Sequence, residues 1–514
     1  MSTTNILILL TIVAYLAMVV YIGFKFSKQN KDTDDFFLGG RKLGPFVTAM
    51  SAEASDMSSW LLLGLPGVAY LTGTADAFWT ALGLAVGTYL NWFMVSKKLR
   101  RYSMRVNAIT VPEYFTNRYH DNRKVLQTLA AVVIVIFFIP YTGSGFSACG
   151  KLFNSLFGVD YHTAMIISAV VIAVYTTLGG FLAASTTDFI QSIVMTIAII
   201  VVFVFGVGVA GGWGVVMENA SALPGYLNLT ATYDVTTGAA SPYSLLTICS
   251  VMAWGLGYFG MPHILLRFMA ARDQDELTLS RRIATVWVFI SMSIAVLIGV
   301  VGLAMSNSGA IPTLEGSASE TVLVKIAGLL AENNWFCAII GGVILAGVLA
   351  ATMSTADSQL LAAASSITED ILTSKVGVKF KGNMQMIVAR MAVLIISVCG
   401  IIIAWDPDSS VFKIVSFAWA GFGAAFGPIV LLSLYWKRSN LYGAVAGMVS
   451  GGAMVFIWKF GIANLGGAFA IYELLPAFVF AIVVNVVVSL VTAPPDDSIL
   501  AEFEEVKAGK SPKK

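Results

Sequence analysis

Thirteen apolar blocks separated by polar breaks run the length of the chain, at about residues 5–26, 45–70, 75–95, 125–149, 162–178, 186–211, 242–264, 282–306, 336–370, 386–404, 410–435, 440–458 and 472–492. A hydrocarbon core about 30 Å thick asks about 20 apolar residues of a helix rising 1.5 Å per residue, and a water-soluble core has no use for so many blocks of that length. In lipid every backbone N–H and C=O must find its partner within the protein, so a spanning block is either a helix or a strand of a closed barrel. These blocks are too long and continuous for barrel strands. The reading is an all-α membrane protein with about 13 transmembrane helices. Composition agrees: 12% of the 514 residues are charged, against about 25% in soluble domains.

Lysine and arginine set the orientation. With the N-terminus outside, the cytoplasmic segments hold 27 of the 31 basic residues, and the outer segments hold only Lys151, Lys325, Lys413 and Lys459. Shifting the count by one helix destroys that asymmetry, so an odd number of spans and a cytoplasmic C-terminus follow. The block at 5–26 lacks a basic segment before it and is followed by Lys25 and Lys28, which reads as a retained span and not as a cleaved signal. A net charge of +2 gives no footprint for nucleic acid. Cys149, Cys249, Cys337 and Cys399 show no C-x-x-C spacing and read as buried free thiols, and three scattered histidines make no metal cluster. No nucleophile-base arrangement, G-x-x-x-x-G-K-[ST] loop or H-E-x-x-H helix points to an enzyme. The outer loop at 212–241 has no basic residue, and its sequons at Asn219 and Asn228 read as chance. The tail at 493–514 reads as charged and mobile.

The second block carries "SAEASDMSSW" at 51–60, with Glu53, Asp56 and four serines in the middle of a span. An ionised carboxylate near the bilayer centre costs at least about 2.5–3.5 kcal/mol, and such residues mark ion or substrate paths. The alternatives are a basic partner for Asp56 on a neighbouring helix, or serines bonded to the carbonyls of their own helix. Gly64 and Pro66 follow shortly after, so the block reads as a discontinuous helix. A second interrupted block at a corresponding place is the strongest sequence pointer to a transporter site. "MAWGLGYFGMPHIL" in the seventh block is such a place, with Gly255, Gly257, Gly260 and Pro262 among Trp254, Tyr258 and Phe259. It stands five helices later, and an odd offset inverts the orientation, as an inverted repeat requires. In the ninth block Ala351, Ser354 and Thr355 are spaced i, i+3, i+4 and face one direction on a helix. A carbonyl and two hydroxyls suit a hard monovalent cation such as sodium. A Ser-Thr pair of this kind also serves as a helix-packing contact.

Five stretches in order, "FFLGGRKLGPF" at 36–46, "SAEASDMSSWLLLGLPG" at 51–67, "YTTLGGFLAASTTDFIQ" at 175–191, "WGLGYFGMPHILLRFMA" at 254–270 and "MSTADSQLLAAASSITED" at 353–370, resemble the sodium/solute symporter family, nearest its proline-carrying branch. The resemblance implies a LeuT-like core of ten helices in two inverted five-helix repeats. The expected divisions are an extra helix and loop at 1–44, repeats at 45–211 and 242–435 flanking the loop at 212–241, two further helices at 436–492, and the tail at 493–514. It also implies that sodium is held by Ala54, Met57, Ala351, Ser354 and Thr355. L-Proline would lie among Ser58, Trp60, Tyr141, Trp254, Tyr258 and Pro262, with Asp56, Arg41 and Asp188 in coupling. For Asp188, a helix N-terminal acid is the competing reading. The implied activity is sodium-coupled import of L-proline across a cell membrane, the bacterial inner membrane, with sodium, solute and lipid as partners and no nucleic acid or obligate protein partner. The other readings are a different solute (pantothenate, a monocarboxylate, another amino acid) or a membrane solute sensor. Glu53 and Ser59 depart from the small residues of the proline branch. Glu53 could face the cytoplasm, pair with a basic residue, or change ion or solute preference.

Overall fold

The polar breaks between blocks start the helices. Asn334, Ser410 and Asn440 accept the amides of Cys337, Lys413 and Gly443 at 2.9, 3.3 and 2.9 Å, which satisfies first-turn donors that lipid could not. A computed structural model describes residues 2–27, 37–380 and 384–509. Lys28, Lys31, Lys381, Lys510, Lys513 and Lys514, counted above for topology, lie outside them.

The chain opens with α1 (Thr3–Ser27) and then the broken second block, α2 (Pro45–Asp56) and α3 (Trp60–Thr72). Next come α4 (Thr74–Arg105), the short α5 (Val111–Arg118) and α6 (Val125–Phe157). Helices α7 (Tyr161–Thr177) and α8 (Gly180–Val209) meet at Gly180, where φ is 70°. The loop at 212–241 folds into α9 (Trp213–Ala222) and an antiparallel hairpin of β1 (Ala231–Asp234) and β2 (Ala239–Pro242). The second broken block is α10 (Leu245–Phe259) and α11 (Pro262–Ala270), bent by 44°. There follow α12 (Leu277–Asn307), α13 (Val322–Ala331), α14 (Trp335–Val376), α15 (Met384–Ile403), α16 (Val411–Tyr435), α17 (Leu441–Phe460), α18 (Leu474–Val491) and α19 (Asp497–Lys507).

Ten described helices are long and apolar enough to cross a membrane, and the bent pair makes eleven. The other two expected blocks hold the shorter apolar helices α3, continuing α2, and α7, so length and apolarity support up to eleven of the thirteen expected spans among the described residues. Burial separates centre from periphery. The apolar windows of α14 and α16 are 72% and 78% buried, while those of α1, α8, α15, α17 and α18 lie between 28% and 33%. The centre of the bundle is therefore α14 and α16 with the broken helices packed beside them, and the outer helices turn residues such as Leu10, Val204, Ile395 and Val487 outward.

Three expectations change. The first break falls at Met57–Ser59, ahead of Gly64 and Pro66: Met57 leaves helical geometry (φ −78°, ψ 71°), and Gly64 closes a wide turn over Trp60–Gly64. Of the four cysteines only Cys149 is buried; Cys249 is exposed and Cys337 and Cys399 are half-buried, because an apolar span also has outward faces. The tail at 497–507 is a docked helix. Ile499, Phe503 and Val506 are buried, Arg105 pairs with Glu505 at 2.8 Å, and Arg101 donates to the Val506 carbonyl at 2.9 Å.

Candidate ion and solute site

At the end of α2 the Met57 amide bonds the Glu53 carbonyl at 2.7 Å, and the Ser58 amide turns back to the Asp56 carbonyl at 2.8 Å. Ser58 is the amide that a continuing helix would give to Ala54. The Ala54 carbonyl is thereby freed, and a freed buried carbonyl must find another partner. It finds α14: Ser354 Oγ lies 2.7 Å away and Thr355 Oγ1 3.5 Å. The same two hydroxyls lie 3.1 and 3.2 Å from the Ala351 carbonyl one turn earlier. Four neutral oxygens thus meet between the broken helix and α14, all buried. This is the donor chemistry that a hard monovalent cation takes. Among the described residues the α14 hydroxyls reach Ala54 and not Met57, which stands buried at the point where the helix stops.

The opposite side of the break holds the acid. Asp56 Oδ2 accepts the Tyr258 hydroxyl at 2.5 Å, and the Asp56 carbonyl accepts Trp60 Nε1 at 3.1 Å and the Tyr141 hydroxyl at 3.2 Å. Trp60 and Trp254 rings approach to 5.8 Å. Asp56 therefore gathers Trp60, Tyr141 and Tyr258, with Trp254 one ring further out. Ser58 Oγ caps the turn by accepting the Trp60 amide at 3.4 Å. Pro262 opens α11, where its missing N–H leaves no gap in the hydrogen bonding. Of the other serines, Ser55 bonds its own helix at Ala52, 3.0 Å, as the alternative reading allowed, and Ser51 does not.

The second break is made by close approach. A Cβ on Gly257 would fall 1.8 Å from Trp419 Nε1, and one on Gly260 would fall 2.2 Å from the Phe422 carbonyl, so only hydrogen fits between α10 and α16. Trp419 in turn donates to the Trp254 carbonyl at 2.7 Å and meets Tyr258 edge-on at 5.1 Å. Trp254 stacks on Phe412 at 5.1 Å and Tyr472 at 5.6 Å. Above this stack, at the end of the bundle opposite the basic loops, lies a cavity of about 640 Å³ whose lining includes Gly64, Asp76, Trp254, Glu320 and Tyr472.

Asp188 is the ninth residue of α8, past the first turn in which a helix N-terminal acid acts. Its Oδ2 accepts from Ser51 Oγ at 2.7 Å and pairs with Arg267 Nη2 at 3.1 Å, both side chains buried. The basic partner considered for Asp56 thus exists for Asp188 instead. Arg267, one of the 27 basic residues assigned to the cytoplasmic segments, is instead a buried residue of α11. It also donates to Ser358 Oγ at 2.6 Å, and Ser358 Oγ donates to the Ser354 carbonyl at 2.8 Å. A continuous path runs from the Ser354 carbonyl through Ser358 and Arg267 to Asp188 and Ser51. Arg267, Ser358 and the neighbouring buried Asp357 escaped the sequence reading, although a cation within "GMPHILLRFMA" was the signal that could have found the first. Arg41 stands apart from this cluster. Its guanidinium bonds the Met269 carbonyl at 2.7 Å, the Ala108 carbonyl at 2.5 Å and Ser103 Oγ at 3.2 Å.

Glu53 is 1% exposed, and its Oε1 accepts Trp92 Nε1 of α4 at 2.8 Å. Of the readings left open for it, facing the cytoplasm does not hold.

The family model described as the sodium:solute symporter family matches residues 36–451. A sodium/proline symporter of Staphylococcus aureus is 38% identical over 503 residues, 96% of this chain and 95% of the relative, and that of the USA300 strain gives the same identity over 504. Among solved structures, a Na+-coupled sialic acid symporter in a substrate-bound outward-open state superposes with a TM-score of 0.76 at 17% identity, covering 95% of this chain and 99% of that one. Mhp1, a nucleobase-cation-symport-1 family transporter, gives 0.54 at 13% identity, covering 92% and 98%. MhsT in complex with L-phenylalanine gives 0.53 at 12%, covering 87% and 97%. These likenesses carry the fold.

Proposed function

The chain belongs to the sodium:solute symporter family, and we propose that it imports L-proline with sodium by alternating access. The observation that carries this reading is the freed Ala54 carbonyl of the broken α2, met by Ser354 and Thr355 of α14. Sodium sits there on Ala54, Ala351, Ser354 and Thr355, with Met57 completing the set once the hydroxyls turn their lone pairs to the ion. The solute lies between the two breaks, on Ser58, Trp60, Tyr141, Trp254, Tyr258 and Pro262. Proline is a zwitterion with an apolar ring, so hydroxyls and helix ends serve its carboxylate while aromatic faces cover the ring and attract its secondary ammonium. Asp56 links the two regions, and Asp188 and Arg41 act in coupling on the cytoplasmic side.

The halves at 45–211 and 242–435 are the inverted repeats. The protein lies in a cell membrane, a bacterial inner membrane, with its N-terminus outside and its C-terminus inside. Sodium and L-proline are its only required partners besides lipid; no nucleic acid or obligate protein partner enters this reading. An ion bound across the α2–α14 contact stabilises one arrangement of the broken helix and raises solute affinity, and linkage makes the effect reciprocal. One sodium moving inward across 100 mV releases about 2.3 kcal/mol, enough for about fiftyfold accumulation at a 1:1 ratio.

The test is labelled L-proline uptake into proteoliposomes under an imposed inward sodium gradient. Accumulation above equilibrium that collapses with the gradient is expected. Gradient-driven uptake that unlabelled proline fails to compete would move the assignment to another solute, and equilibration without accumulation would remove symport.

A further inference from the structure

A cavity of about 840 Å³ lies against α17 and α18 and shares no lining residue with the ion and solute site. One wall is apolar: Val445, Ala446, Val449 and Ala453 of α17, with Val125 of α6 and Val488 of α18. These residues stand on the bundle's outer surface, with Val449 50% exposed and Ala453 exposed as well. The other end is polar. His120, Asp121, Asn122 and Arg123 close it, at the end of the bundle where the basic loops gather.

The charges at that end differ in what they are free to do. Asp121 spends both oxygens on the first turn of α6, accepting the Arg123 amide at 3.2 Å and the Leu126 amide at 2.8 Å. His120 is engaged by Glu502 of α19 at 3.2 Å, and Lys124 Nζ by the Ser374 carbonyl at 2.9 Å. Arg438, near the end of α18, bonds the Thr492 carbonyl at 2.7 Å and the Leu490 carbonyl at 3.3 Å. Arg123 is exposed, and among the described residues its backbone atoms alone are bonded, its carbonyl accepting Lys375 Nζ at 2.8 Å. Helices α6 and α17 both begin beside it, at Val125 and Leu441, but Asp121 and Asn440 already accept their first-turn amides of Leu126 and Gly443 at 2.8 and 2.9 Å, which leaves the Arg123 guanidinium as the group free to meet a ligand.

We propose that this groove holds an anionic glycerophospholipid of the cytoplasmic leaflet. The phosphodiester meets Arg123, and an acyl chain lies along Ala446, Val449 and Ala453. Charge complementarity selects an anionic headgroup over a zwitterionic one: Asp121 and Glu502 are already bonded, so an ammonium or choline finds no free carboxylate at the mouth. Basic pockets between helices on the cytoplasmic side take anionic headgroups in this way.

The experiment uses the full chain in nanodiscs of mixed phosphatidylglycerol and phosphatidylcholine, extracted into detergent and weighed by native mass spectrometry. Wild type is expected to keep phosphatidylglycerol in at least about fivefold preference. Arg123→Gln removes the headgroup partner, and Ala453→Trp fills the chain seat without changing charge; both are expected to bring the ratio to that of the bulk mixture. Matching thermal unfolding profiles in phosphatidylcholine alone would show that both variants fold. Equal retention of the two lipids by wild type overturns the proposal. So does a preference that survives Ala453→Trp, which would assign it to the basic surface at large.

Discussion

At Met57–Ser59 the chain leaves a helix with an oxygen to offer; at Gly260–Met261 it leaves one with rings packed over it. The first break is made by backbone that folds back on itself, Ser58 bonding Asp56 and abandoning Ala54. Hydroxyls of the central α14 take up what is released. The second break is made by the absence of side chains, Gly257 and Gly260 letting α16 approach. What surrounds it is Trp254, Tyr258, Trp419 and Phe412. A polar break suits a small hard ion and an aromatic break suits a zwitterion with an apolar ring, so in the proposed function the two breaks divide the two cargoes between them. Asp56 joins them, because it belongs to the first break and receives the Tyr258 hydroxyl from the second.

Removing that joint is the severest way to break the comparison. In Asp56→Asn the charge that faces both regions is gone, and a hydrogen bond to a charged group is worth about 1.5–3 kcal/mol. Sodium activation of uptake is expected to weaken by about tenfold to a hundredfold, read as the sodium concentration for half-maximal uptake. Solute affinity falling while the sodium response stays at wild type would place Asp56 with the second break alone.

Gly257→Ala should act next most strongly and on the other side. Its Cβ cannot coexist with Trp419 Nε1 at 1.8 Å, and overpacking of this kind costs about 1–3 kcal/mol. Proline affinity is expected to drop about tenfold with the sodium response retained, and thermal stability to fall. Trp254→Ala sharpens the same point: equilibrium binding should show solute lost more than sodium, by about tenfold. An equal loss of both would make the ring stack mere packing.

Two hydroxyls test the first break at finer grain. Ser354 reaches Ala54 at 2.7 Å and Thr355 at 3.5 Å, and a neutral hydrogen bond contributes about 0.5–1.5 kcal/mol. Ser354→Ala and Thr355→Ala are each expected to raise the sodium requirement by about twofold to tenfold, with maximal uptake retained once sodium is in excess. A wild-type sodium curve in either variant removes that residue from the ion set.

Particular residues show what the sequence makes legible. Period and spacing bring out Ala351, Ser354 and Thr355 because three residues on one helix face obey local geometry. The broken second block is legible from charge in an apolar run, but its break lies at Met57–Ser59 and not at Gly64 or Pro66, since the deciding hydrogen bonds join amides that any residue supplies. The Asp188–Arg267 pair joins α8 to α11 across 79 positions, and no local pattern reports such a partner. The docked α19 is hidden for the same reason: its stripe of Ile499, Phe503 and Val506 needs the surface it covers.

Glu53 gives the smallest expected effect and the finest test of the division. It lies one residue before the freed carbonyl, yet its Oε1 turns to Trp92 on α4 at 2.8 Å. Glu53→Gln keeps an acceptor for Trp92 while removing the acid, so if that bond is the whole of its role, sodium and proline half-saturation should both stay within about twofold of wild type, which is about 0.4 kcal/mol. Glu53→Gly removes the acceptor as well and leaves Trp92 Nε1 buried and unpaired, at about 1–3 kcal/mol of stability. The pair of variants separates two uses of one side chain. Loss of stability in glycine alone makes Glu53 a strut between α2 and α4, whereas a raised sodium requirement in glutamine would mean that its charge serves the ion and that the first break holds two acids in that work.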